Sequence, residues 1–253
     1  MPGRECADIV FCIDASDSMT PCIGAVKDNI SKLTAVFSKD ALRTWDIRLD
    51  FLAHAFGNRK FHCYTARQDV TLLDDLYQNP DPATRRCFTS ETAEFEKALA
   101  RVRTTGDEVT LAALDIALDF PWRPAQSCHR VVVLLTDEAV ETGEAVKLQE
   151  SLLPALIEKI HNKRVKLFIH APESEIFYKL SMANGCEYEI LSVAHDGMRH
   201  VDFQKLMEVI GKSVFISQST LPGESDAHPL FGQETWRLTD ETSLGGDKYK
   251  VSA

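Results

Sequence analysis

Residues 130–138 read RVVVLLTDE. Five consecutive apolar residues, Val131 to Leu135, stand between Arg130 and the polar group Thr136, Asp137 and Glu138. A run this short and continuous predicts a strand buried on both faces, as in the centre of a parallel sheet. An acid then stands at its carboxyl end. Residues 8–14, DIVFCID, follow the same plan: an apolar run into Asp14, with Ser16 and Ser18 just beyond. Two buried strands that each end in aspartate set the frame for the rest of the chain.

Outward from these strands, Ile23, Val26, Ile30, Leu33 and Phe37 recur at steps of three and four, which predicts a helix over 21–37. IRLDFLAHAF at 47–56 alternates with period two and predicts a strand. KFHCYT at 60–65 is placed against it as a hairpin, with Gly57 and Asn58 at the turn. A helix is predicted from Ser90, with Phe95, Leu99 and Val102 on one face, and another over LAALDIALDF after the loop at 104–110. Beyond 130–138 come a long helix carrying Val146, Leu152, Leu156 and Ile160, and a strand at 165–172 stopped by Pro172. A short helix closed by Gly185, a strand at 187–191 and a helix at 203–215 complete the pattern. Strands alternating with helices predict an α/β fold: a doubly wound, mostly parallel sheet flanked by helices. One domain is expected over 1–216. It carries an insertion at about 58–90, where YQNPDPATRRC is rich in turn formers, and a polar C-terminal tail or strap follows at 217–253.

The chain has 28 basic and 38 acidic residues among 253, a net charge of −10. That balance argues against a nucleic-acid partner, because a phosphate-backbone binder shows a basic footprint. No run reaches the roughly 18 apolar residues of a bilayer span, so no membrane partner is expected. The opening MPGRECADIV carries no apolar leader, which makes a cytoplasmic protein with reduced cysteines the expectation. Its seven cysteines form no CxxC pair, and a zinc site from His62, Cys63 and Cys87 matches no strong spacing.

In sheets of this kind, sites gather at the carboxyl ends of the strands, where strand order reverses. If the two aspartate-ended strands are neighbours, Asp14 and Asp137 emerge together, with Ser16 and Ser18 beside them. Carboxylates plus hydroxyls form a hard, oxygen-only set, suited to Mg²⁺, Mn²⁺ or Ca²⁺ rather than zinc. A purely local reading competes with this one: Asp17 or Ser18 as the N-cap of the 21–37 helix.

DIVFCIDASDSM resembles the opening of a von Willebrand factor type A domain, with its D-x-S-x-S motif. RVVVLLTDE resembles the later strand that ends in that family's second metal-binding acid. FTSETAEFEKALARVRTTGDEVTLAALDIAL is similar to the segment between them. The resemblance covers about residues 8–215 and implies a doubly wound fold with a metal-ion-dependent adhesion site. Carried over by motif, Asp14, Ser16, Ser18 and Asp137 hold Mg²⁺, with Mn²⁺ or Ca²⁺ as alternatives. Thr110 is the candidate middle ligand. The loop reads G-D-E-V-T where the family often has G-G-T, which leaves Asp107 and Glu108 open as alternatives. Asp17 stands where the family tends to have glycine.

The resemblance also implies a partner protein that completes the coordination with an Asp or Glu, and no catalytic turnover. Intracellular members of the bacterial tellurite-resistance type imply a scaffold or regulator in stress and defence systems, beside protein kinases, PP2C-type phosphatases or ATPases. Two other readings stand beside this one. A metal-dependent phosphohydrolase is suggested because a strand ending in Asp also opens haloacid-dehalogenase-type phosphatases. Their second acid falls where this chain has Ser16, and neither a P-loop nor a G-x-S-x-G elbow is present. His54, His62, His129, His161, His170 and His195 sit in no recognisable motif. The remaining reading is a structural domain with a degenerate, metal-free site.

Overall fold

A computed structural model describes residues 3–38, 43–57, 60–67, 87–106, 109–142, 145–183, 186–190, 198 and 202–216. Among them six strands form one sheet: β1 (Gly3–Asp14), β2 (Arg43–Gly57), β3 (Lys60–Thr65), β4 (His129–Leu135), β5 (Val165–Ala171) and β6 (Cys186–Ile190). Their spatial order is β3-β2-β1-β4-β5-β6. All neighbours pair in parallel except β3, which runs antiparallel to β2 at the edge. Strand order reverses between β1 and β4, so the aspartate-ended strands are direct neighbours, with Ile13 opposite Leu135.

The helices are α1 (Thr20–Ser38), α2 (Thr92–Leu99), α3 (Thr110–Leu118), α4 (Val146–Lys163), α5 (Glu175–Ser181) and α6 (Phe203–Ile216). The period-two alternation of β1 divides its side chains between two cores. Phe11 and Ile13 pack with Val26, Ile30, Leu206 and Ile210 of α1 and α6, and with Phe95 of α2. Val10 and Cys12 pack with Leu114 of α3, Leu156 of α4 and Phe177 of α5. Phe95 stands edge-on to both Phe11 and Phe51, with ring centroids 5.9 and 5.4 Å away. Each such aromatic pair adds roughly 0.5–1.5 kcal/mol to the area it buries.

β1 begins at Gly3, earlier than its apolar run suggests, because Gly3–Ala7 pair in parallel with Arg43–Ile47. The β2–β3 hairpin forms as expected, while its turn residue Asn58 lies outside the described residues. So do Gly185, residues 68–86 of the insertion and the tail at 217–253. All seven residues of β5 are buried, Lys166 included, whose ammonium lies 4.7 Å from the centre of the Phe168 ring. That cation–π contact gives a charge on a central strand an electrostatic partner.

The expectation of uniformly reduced cysteines does not hold. Cys6 and Cys128 form a disulfide, with Cα atoms 4.6 Å apart. The cause is register: Ala7 lies opposite His129, so the residues before them are also neighbours, within the span a bridge requires.

Asp8 anchors the amino edge of the sheet. Its fully buried carboxylate accepts from Arg48 Nε at 2.8 Å, from Arg123 Nε at 2.8 Å and from the Arg123 backbone N–H at 2.8 Å. Arg123 also reaches the carbonyls of Ala7 and Asp46, which ties the 121–124 segment across β1 and β2. Removing one member of such a pair leaves the others buried and uncompensated. Asp8→Ala is therefore expected to destabilise the fold by about 3–5 kcal/mol, read from the urea unfolding midpoint. Breaking the exposed Lys179–Glu175 pair by Glu175→Ala should leave that midpoint where it was.

Candidate metal centre

The β1–β4 pairing delivers Asp14 and Asp137 to one carboxyl edge. After Asp14 the chain turns into a short 3₁₀ turn, Asp17–Met19, and then into α1, whose first turn accommodates Pro21. The turn folds back on the acids. The Ser16 N–H donates to Asp14 Oδ1 at 2.7 Å. The Ser16 and Ser18 hydroxyls lie 3.1 Å apart, and Ser18 Oγ donates to Asp137 Oδ1 at 3.0 Å. Asp14, Ser16, Ser18 and Asp137 thus form one connected chain of oxygens at the reversal of strand order. Of the two residues offered as a cap for the 21–37 helix, Ser18 turns its hydroxyl to Asp137 instead. Ser16 is the N-cap of the 3₁₀ turn, without a side-chain cap bond. Asp17 is exposed beside the chain and contributes its carbonyl to the Thr20 hydroxyl at 3.1 Å.

Several participants escaped the sequence reading. Thr136 is fully buried, and its hydroxyl donates to Asp14 Oδ2 at 3.1 Å while accepting from the Glu138 N–H at 3.2 Å. It holds the carboxylate oxygen that Ser16 leaves free. The Thr20 and Thr104 hydroxyls meet at 2.9 Å, and Thr105 N–H donates to the Ala15 carbonyl at 2.8 Å. These bonds bring the loop after α2 to the end of β1. Gly106 follows with φ of 70°, a left-handed conformation that favours glycine.

Thr110, the expected middle ligand, is buried at the first turn of α3. Among the described residues its hydroxyl has no hydrogen bond to the Asp14–Asp137 chain. The alternatives Asp107 and Glu108 lie outside the described residues. The start of α3 is held from another direction: Gln149 of α4, itself buried, accepts from the Leu111 N–H at 2.8 Å. That bond satisfies one of the amides a helix start leaves open.

Electrostatically the site is a concentration of negative charge in a dry place. Burial pushes the Asp14 carboxyl up to about 7, and the charge of Asp137 adds to the rise, against the opposing bonds from Ser16 and Thr136. Burial also raises Asp137, with Ser18 opposing. The donors fit a hard divalent cation, which would remove the repulsion between the two acids. Among the described residues no group of three or more His, Cys, Asp or Glu side chains forms a metal-holding cluster; here two acids are supplemented by hydroxyls. His54, opposite Asp14 on β2, is fully buried and held neutral, its pKa depressed to about 3 by desolvation. Burial likewise depresses His129, to about 4, with Lys166 adding to the effect.

This architecture has the fold of von Willebrand factor type A domains. A solved von Willebrand factor type A structure from Catenulispora acidiphila superposes with a TM-score of 0.51 at 14% identity, covering 83% of this chain and 43% of that one. Among curated proteins, the chain is 28% identical over 157 residues to the α-protein kinase vwkA of Dictyostelium discoideum. That match takes in 59% of this chain and 21% of the Dictyostelium protein. No protein-family model matches the chain.

The raised pKa of Asp14 has a definite consequence for metal-free protein. Between about pH 4 and 7 the folded state binds a proton at Asp14 that the unfolded state does not, so this group's contribution to stability falls as pH rises. Asp14→Asn removes that penalty. With chelator present, its unfolding midpoint should match wild type near pH 4 and exceed it increasingly up to about pH 7. Equal midpoints at pH 8 would contradict a buried, electrostatically penalised carboxylate.

Proposed function

We propose that this chain is a metal-ion-dependent protein-binding module that works without turnover. One observation carries the reading: the continuous chain Asp14–Ser16–Ser18–Asp137, set where strand order reverses. Asp14, Ser16, Ser18 and Asp137 would hold Mg²⁺, or Mn²⁺ or Ca²⁺ in its place, with a further oxygen from Asp107, Glu108 or Thr110. When bound, the ion offers a coordination position to an Asp or Glu of a partner protein, because Mg²⁺ sites built on one or two carboxylates keep exchangeable positions. Thr136 keeps Asp14 oriented, and Ser18 links the turn to Asp137.

The non-catalytic reading is supported by the makeup of the loop. A phosphohydrolase of the dehalogenase type needs an acid where Ser16 stands, and His54 is enclosed in the core rather than presented at the edge. No described helix is long and apolar enough to cross a membrane. A scaffold or regulator is the role proposed, acting beside a kinase, a PP2C-type phosphatase or an ATPase. The partial likeness to an α-protein kinase favours the kinase branch of that proposal. A bacterial stress or defence system of the tellurite-resistance kind rests on the D-x-S-x-S resemblance alone.

Mg²⁺ at about one hundred times its dissociation constant should stabilise the fold by ~2.7 kcal/mol, or roughly 5–10 °C in thermal midpoint. Asp14→Ala and Asp137→Ala should each abolish the shift. Partner capture from a lysate should require Mg²⁺, vanish with EDTA and vanish in Asp14→Ala. A wild-type protein with no thermal response to Mg²⁺, Mn²⁺ or Ca²⁺ would leave a structural domain with a degenerate site. Release of phosphate from a phosphoester, dependent on Asp14, would make it an enzyme instead.

A further inference from the structure

Away from the carboxyl edge, a hollow of about 560 Å³ opens between the end of β3 and α2, lined by Ala66, Arg67, Cys87, Phe88, Glu94, Lys97 and Arg101. We propose that this hollow is an anion-binding site for a phosphomonoester with a small apolar body. Three of its lining side chains are cationic and one is acidic, in a chain whose net charge is −10. The acid is already engaged: Glu94 Oε2 accepts from the Thr89 hydroxyl at 2.7 Å and lies 3.5 Å from an Arg67 nitrogen. Lys97 and Arg101 follow Glu94 at steps of three and four, so all three lie on one side of α2 and its continuation. Arg67 faces them from the strand side, its Nε donating to the Phe88 carbonyl at 2.8 Å. Positive charge therefore enters from two separate elements, which suits a ligand with several acceptor oxygens.

The walls are built in advance of any ligand. Asp50, fully buried, accepts from the Phe51 and Ala66 amides through Oδ1, each at 2.8 Å, and from the Phe88 amide through Oδ2 at 2.6 Å. One carboxylate thus pins both sides of the hollow. It also holds Phe88 at φ of 63°, a left-handed conformation that non-glycine residues rarely adopt. The Leu49–Thr89 bridge fixes the next residue through bonds of 2.7 and 2.8 Å. A preorganised wall avoids the ordering penalty that weakens binding at mobile loops. Ala66, Cys87 and Phe88 supply the less polar part of the lining, where the body of the ester would rest. Because the cations are exposed and salt-screened, the site is expected to bind modestly and to weaken with ionic strength.

The test is calorimetric titration of the full chain with inorganic phosphate and with phenyl phosphate, at low salt and with chelator present. Saturable binding is expected for both, tighter for phenyl phosphate. The double variant Lys97→Glu/Arg101→Glu should weaken it by about tenfold or more, while Lys32→Glu, on the exposed side of α1, should leave it unchanged. Lys97→Ala/Arg101→Ala serves in its place should charge reversal unfold the protein. Asp14→Ala should bind phosphate as wild type does, which separates this site from the metal centre. Absence of saturable binding, binding that survives the double variant, or an equal loss in Lys32→Glu would each overturn the proposal.

Discussion

Parallel pairing of β1 with β4 is the constraint from which the rest follows. These strands are distant in sequence and become neighbours only because the chain first lays down β2 and β3 on one side and then returns to build outward on the other. The ladder that aligns Ile13 with Leu135 sets the separation of everything beyond it. It places two acids at one edge, and it places the loops that follow them within hydrogen-bonding reach. A slip of one residue would turn every β4 side chain to the opposite core, so register is enforced along the whole strand. The precision of the oxygen cluster is therefore inherited from an apolar interior that contains none of it.

The two edges of the sheet handle acids in opposite ways. At the amino edge, Asp8 is buried but surrounded by guanidinium groups and a backbone amide, so its charge is satisfied where it sits. At the carboxyl edge, Asp14 is equally buried but faces hydroxyls, one amide and another acid. Hydroxyls relieve a carboxylate only in part, because they bring no opposing charge. One arrangement pairs its acid with positive charge inside the chain; the other pairs it with neutral donors. That asymmetry is what the proposed cation would relieve.

Much of this was legible because it depends on local pattern. The apolar runs of β4 and β5, the period-two alternation of β2 and the three-four spacing of α1 each announce the environment they enter. Asp14 and Asp137 were readable for the same reason, since Asp14 directly follows such a run and Asp137 stands just beyond another, with Thr136 between. What escaped depends on contacts between distant positions. Thr136 looks like the last residue of a strand until register places its hydroxyl on Asp14, 122 positions away. Gln149 is an unremarked polar residue in a helix until its amide oxygen meets the start of α3. Lys166 interrupts an apolar strand and would be expected to face water; an aromatic ring beside it makes the interior tolerable.

The Cys6–Cys128 bridge spans the first half of the domain, with β2, β3, α2 and α3 all strung between its two ends. A single backbone cut anywhere from residue 7 to residue 127 therefore yields two polypeptides that remain one molecule. When the cut falls beyond residue 18, the amino-terminal piece keeps β1, Asp14, Ser16 and Ser18, and stays covalently tied to the strand that leads to Asp137. Continuity of the backbone and covalent connection between the two halves of the oxygen cluster are separate properties here.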